Sequence, residues 1–277
     1  MWQKINNFVR ANAILSAFLF SAVFLLLSVA VGLPTMQGGM EREIGMPILT
    51  VYQVVLTVIG ILFMRKLQVL DKNDFKFINI GKGFLLGWIV LVLSAVMVLF
   101  GFLNRSEYFI KPEPLFLLTV ILFPLSTGLL EEVVFRGIVL KILLRKTGGT
   151  KKGIISAFII SAALFAVVHL IHLMWKSPID VTGDLLFAIA GGMFLGAIYL
   201  RTKTLIAPIL LHWLLNLSGG IFDAFTSPEY TIPEATLDNV IIITLIAALP
   251  LIIAAFVLLR KVKPENIVER ADGICTK

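Results

Sequence analysis

Cysteine, charge and histidine are all scarce in this chain, and each scarcity narrows what the protein is. A single cysteine, Cys275, among 277 residues excludes an intrachain disulfide framework. Charged residues make up only 15%, against about 25% in an ordinary soluble domain, while 58% are hydrophobic and the mean hydropathy is +0.98. That balance excludes a soluble globular fold and leaves a polytopic membrane protein. No internal repeat, low-complexity tract or long polar stretch interrupts the apolar runs, so residues 1–277 read as one integral membrane domain. The formal net charge of +7 calls for no nucleic-acid partner, because its distribution follows membrane orientation instead.

What is present is a series of apolar runs. A spanning helix needs roughly 20 mostly apolar residues, and eight stretches qualify, near 13–33, 47–64, 84–103, 115–140, 154–174, 182–200, 204–222 and 240–259. The reading is all-α, a multi-pass cell-membrane protein with about eight transmembrane helices, in the cytoplasmic membrane if the source is bacterial. The first run exceeds the apolar core of a signal peptide, about 7 to 15 residues, and reads as an anchor. Nineteen of the 24 lysines and arginines fall in the N-terminal segment, the connections around 65–82, 141–152 and 201–203, and the tail. Arg42, Arg105, Lys111 and Lys176 lie in the opposite connections, and Arg136 stands inside a span. Basic connections stay cytoplasmic, so both termini are expected there, with membrane lipid as a partner. Gly83-x-x-x-Gly87 and Gly192-x-x-x-Gly196 would let helices approach closely, with no role in a site expected of them.

The polar residues inside these runs carry the functional signal. Glu131-Glu132-Val133-Val134-Phe135-Arg136-Gly137 puts two acids and a base within one span. An ionised side chain at the bilayer centre costs at least ~2.5 kcal/mol, so three together need partners, water or both. Glu132 and Arg136, one helical turn apart, are expected to pair, while Glu131 is rotated by roughly 100° and left as the unpaired acid. An acid with few partners in an apolar setting is a candidate general base. All three histidines, His169, His172 and His212, fall within or at the end of apolar runs. Phe165-x-x-x-His169 stacks a ring on the face of an imidazole, and His212-x-x-x-Asn216 puts two polar groups on one face, able to hold an oxyanion or simply to join helices. His172 reads as an interfacial or supporting residue. Pro124 and Pro208 are expected to bend their helices around a polar cavity that admits water. Counting about 1.5 Å per residue places His169 deeper from Lys152 than Glu131 lies from Lys141, which requires the fifth helix to start later or to tilt.

Glu131-Glu132-x-x-x-Arg136 in the extended form that includes Phe135 and Gly137, then Phe165-x-x-x-His169, then His212-x-x-x-Asn216, resemble in this order the CPBP family, also called the Abi family. It contains the type II CAAX prenyl endopeptidases and bacterial relatives linked to bacteriocin self-immunity and peptide processing. The resemblance spans about residues 115–220, the expected catalytic core. It implies an eight-helix intramembrane endopeptidase in which Glu131 activates water, His169 assists as proton carrier, and His212 with Asn216 stabilises the oxyanion. Glu132, Arg136 and Phe165 take supporting roles. It implies no cofactor, with zinc on Glu131, His169 and His212 as the alternative, and a peptide or lipidated protein as substrate. Two other classes stay open: a proton-coupled transporter using the same acids and histidines as a relay, and a non-catalytic immunity or peptide-binding membrane protein.

Overall fold

In the computed structural model the described residues are 1–36, 42–227, 229–231, 236–265 and 267. The tail with Cys275, Arg270 and Lys277, and part of the acidic connection 223–238, lie outside them. Among the described residues eight helical runs are long and apolar enough to cross a membrane: Ala13–Gly32, Glu43–Lys66, Trp88–Tyr108, Pro114–Thr147, Lys151–Met174, Pro178–Thr202, Ile206–Ala224 and Leu237–Leu259. The protein is an all-α polytopic membrane protein, as its composition required. No strand interrupts the helices among the described residues; one isolated bridge joins Phe109 and Thr226. Lipid leaves backbone groups no partner but each other, and helices satisfy them within one segment.

In chain order the helices are α1 (Trp2–Ala11), α2 (Ala13–Met36), α3 (Arg42–Lys66), α4 (Ile80–Leu86), α5 (Trp88–Arg105), α6 (Pro114–Glu132), α7 (Lys141–Thr147) and α8 (Lys151–Val167). After them come α9 (Pro178–Thr202), α10 (Ile206–Gly220), α11 (Leu237–Ile243) and α12 (Leu249–Leu259). Two changes of helical pitch matter for the site. Val133–Leu140 is a π-helical segment joining α6 to α7, and Val168–Met174 is a 3₁₀ segment continuing α8. The centre of the bundle is α9, whose run is the most buried of the eight and which packs against α8, α10 and α12. Its small residues Ala190, Gly191, Gly192, Gly196 and Ala197 are buried where large ones would hold neighbours apart. On the outside, leucines, isoleucines and valines of α2, α3, α5 and α12 stand exposed, as lipid-facing residues do.

The fourth run is longer than the sequence reading set it. Lys141 does not end the helix; its ammonium is ion-paired with the fully buried Asp74, and the helix runs on to Thr147. The fifth helix begins earlier than expected, at Lys151, with Thr150 capping it through a hydrogen bond from Gly153 N at 3.0 Å. Glu131 is therefore 16 residues from Thr147, and His169 is 18 from Lys151. The depth mismatch closes without a late start. A basic residue buried against one carboxylate looks, in sequence, like the edge of the membrane.

Asp74 organises more than Lys141. Its carboxylate accepts from Tyr199 Oη at 3.1 Å and Asp71 N at 2.7 Å, and its carbonyl accepts from Leu205 N at 2.7 Å and Thr204 Oγ1 at 3.1 Å. The segment after α3 is thus sewn to α7, α9 and the start of α10. Pro208 falls in the first turn of α10, where a missing N–H costs nothing, so no mid-helix bend is needed there. Pro124 does lie inside α6, as expected.

Candidate active site

The polar residues of α6, α8 and α10 meet in one cluster. Glu132 is fully buried, and its Oε1 lies 2.8 Å from Arg136 Nη1 and 2.9 Å from His212 Nδ1. The pairing with Arg136 was legible from i, i+4 spacing; the bond to His212 was not. Arg136 is itself 2% exposed, donates from Nη2 to Gly192 O at 3.0 Å, and lays its guanidinium over the Phe165 ring at 4.8 Å. A charge this deep is tolerable only when paired and hydrogen-bonded. The carbonyl of Gly192 supplies part of that pairing, so a glycine expected to serve packing alone also holds the site. A Cβ there would come within 3.0 Å of Phe165 Cδ1.

Glu131 keeps more freedom. Its side chain is 14% exposed, and its Oε2 stands 3.5 Å from His212 Nε2. It is therefore not the solitary acid that helix geometry alone predicts, because His212 reaches both glutamates. Gly128 is the reason: a Cβ on it would meet His212 Cβ at 3.5 Å and Trp213 N at 3.4 Å, so α10 lies close against α6. Trp213 Nε1 donates to Ile121 O at 3.0 Å and pins that contact.

Phe165 is the hub of the rings. It touches Phe135 at 5.0 Å between centroids, His169 at 4.9 Å and His212 at 6.1 Å, each edge to face. Its role exceeds the expected stacking on His169, since one ring holds a cation and two imidazoles. His169 Nδ1 lies 2.9 Å from Phe165 O, and a carbonyl only accepts, so Nδ1 carries the proton and Nε2 is free for chemistry. His212, with Nδ1 facing the Glu132 carboxylate, likewise presents Nε2 toward Glu131.

Asn216 stands one turn beyond His212 on α10 and is exposed, and its side chain makes no hydrogen bond among the described residues. His172 pairs with Asp184 of α9, Nδ1 to Oδ2 at 2.6 Å, and Lys176 Nζ bonds the same oxygen at 2.8 Å. Asp184 escaped the sequence reading. It lies a turn and a half into an apolar run, and an acid in that position is a signal that charge inside a span would have given. Glu131, His169 and His212, the set a zinc ion would need, do not form a metal-holding group of three among the described residues.

Eight apolar helices closing around paired acids, an arginine and two imidazoles define a multi-pass membrane protein with a polar site inside the bundle. Residues 113–218, the interval that contains every residue of that site, match the family model described as Rce1-like, type II CAAX prenyl endopeptidase Rce1-like. Over that interval the chain is similar to the type II CAAX prenyl endopeptidases, which supports, at family level, a CAAX-type intramembrane protease. No curated protein and no solved structure matches the chain.

Proposed function

We propose that the protein is a glutamate-dependent intramembrane endopeptidase that hydrolyses a peptide bond in a membrane-associated peptide or lipidated protein. One observation carries the assignment of the base: Glu132 is spent on Arg136 and His212, whereas Glu131 is partly open with a single long contact. Glu131 takes a proton from water as the oxygen attacks the scissile carbonyl. His169, with Nε2 as its free nitrogen, carries protons between Glu131 and the departing amine. His212, once protonated on both nitrogens, donates Nε2–H to the oxyanion, and Asn216 supplies a second donor when substrate fills the space beside α10. Such donors act where charge develops, in a water-poor site. Glu132 and Phe165 orient the His212 ring, and Arg136 balances Glu132.

Replacement Glu131→Gln keeps size and removes the base, so cleavage should fall by about 100-fold or more, the usual worth of a general base. Comparing membrane peptides of cells carrying the parent or the Gln form reads this without knowing the substrate in advance. Undiminished processing at normal expression would remove Glu131 from the catalytic role. The proposed step uses no metal, so we expect purified, active protein to keep its activity through chelator dialysis, measured with metal analysis of the same sample. A stoichiometric zinc lost together with activity contradicts the reading.

A further inference from the structure

The 3₁₀ segment Val168–Met174 builds something that the α-helix before it would not. In a 3₁₀ helix residues three apart eclipse one another. His169, His172 and Trp175 therefore stand on one edge, with centroids 5.4 Å apart from His169 to His172 and 5.4 Å from His172 to Trp175. The other edges carry Leu170, Leu173 and Met174, all exposed and apolar. Asp184 and Lys176 join the polar edge from α9 and from the connection before it. Exposure rises along the edge: 14% at Glu131, 27% at His172 and Asp184, 40% at Lys176. Beyond Lys176 the chain turns at Ser177 and enters α9, with Asp180 half-buried in its first turn.

We propose that this edge is the water route of the site, running from the connection between α8 and α9 past Lys176, Asp184 and His172 to His169 and Glu131. It rests on the hydrolytic reading above, since hydrolysis consumes water and apolar spans admit it only along polar groups. The salt-linked trio explains itself on this basis. An ionised carboxylate inside a span needs partners and hydration, and Asp184 has both Lys176 and His172 beside a partly open surface. Glu132 and Arg136 are tied to protein atoms, whereas His172 keeps Nε2 and Lys176 keeps its remaining donors for solvent.

The test does not depend on catalysis. In a Cys275→Ser background, single replacements His172→Cys, Asp184→Cys, Leu170→Cys and Leu173→Cys are treated with a sulfonated, membrane-impermeant maleimide in intact membranes. Positions 172 and 184 should react about tenfold faster than 170 and 173, because the reacting thiolate forms only where water solvates it. Equal, slow reaction at all four positions overturns the route. Should the charged-cluster variants fail to fold, the unmutated protein is treated with a water-soluble carbodiimide and a glycine ester, and modified sites are mapped by mass spectrometry. Asp184 should be modified alongside Asp180, which lies nearer the end of α9; modification at Asp180 with none at Asp184 overturns the route. Because no substrate is used, loss of this route leaves the Glu131 assignment to its own experiment, and failure of that assignment leaves the labelling pattern intact.

Discussion

Arg136 shows how a single residue can be indispensable to a fold without adding much to its stability. Its guanidinium, 2% exposed, is held by Glu132, Gly192 O and the Phe165 face. Removing one partner of a buried pair strands the other charge and costs about 3–5 kcal/mol, whereas removing both costs far less. We expect Arg136→Met to unfold at markedly lower temperature in detergent, and the double replacement Glu132→Gln with Arg136→Met to recover much of the loss, since Gln still accepts from His212 Nδ1. Double-variant stability no better than the single variant would show that the pair is not the source of the cost. Arg136→Lys should lose function out of proportion to its conserved charge, because an ammonium cannot bond Glu132 and Gly192 while lying flat on Phe165. At this scale the sequence announced Glu132 with Arg136 and Phe165 with His169, both local pairings. Glu132 with His212, 80 positions apart, and His172 with Asp184 were silent, because each depends on where a second helix crosses.

Among the elements, α10 matters most, since it brings His212 to α6. Its other side packs against the short α4, where a Cβ on Gly83 would stand 2.5 Å from Ala207 Cβ and one on Gly87 2.6 Å from Leu211 Cδ1. Gly83→Ala forces two small side chains together with no flexible end to yield, and overpacking of this kind costs typically ~1–3 kcal/mol. Gly81, two residues earlier in α4, has nothing within 4 Å of such an atom. Gly81→Ala should therefore be neutral or stabilising by up to about 1 kcal/mol, the propensity gain alone. Thermal unfolding of the two variants side by side separates packing from propensity. The π and 3₁₀ segments were not legible in the sequence. Val133–Leu140 and Val168–Met174 have apolar patterns like those of the α-helices they extend, and their pitch is set by what they pack against. Wide and tight turns of this sort recur at functional sites.

For the molecule as a whole, the Asp74 knot and the charge asymmetry make separate demands. Asp74→Ala takes the buried carboxylate away from Lys141, Tyr199 and the Asp71 amide, so we expect a stability loss of about 3–5 kcal/mol and faster tryptic cleavage around 65–82, read by limited proteolysis. The distribution of basic residues leads us to expect the basic connections in the cytoplasm and the turn between α8 and α9 on the opposite side. The impermeant maleimide should then reach Ser177→Cys, in the Cys275→Ser background, from outside intact cells and should not reach it in sealed inverted vesicles. Labelling of Ser177→Cys in inverted vesicles instead would reverse the orientation. The sequence by itself determined the membrane class, the number of spans and the family of motifs, because hydropathy, helical periodicity and short spacings are local properties that no fold can alter. Only the tertiary structure decided that one imidazole bridges two glutamates, that Lys141 is internal, and that Asp184 belongs beside His172. Those facts come from helices separated by tens of residues, and close packing around small side chains such as Gly128 and Gly192 fixes them.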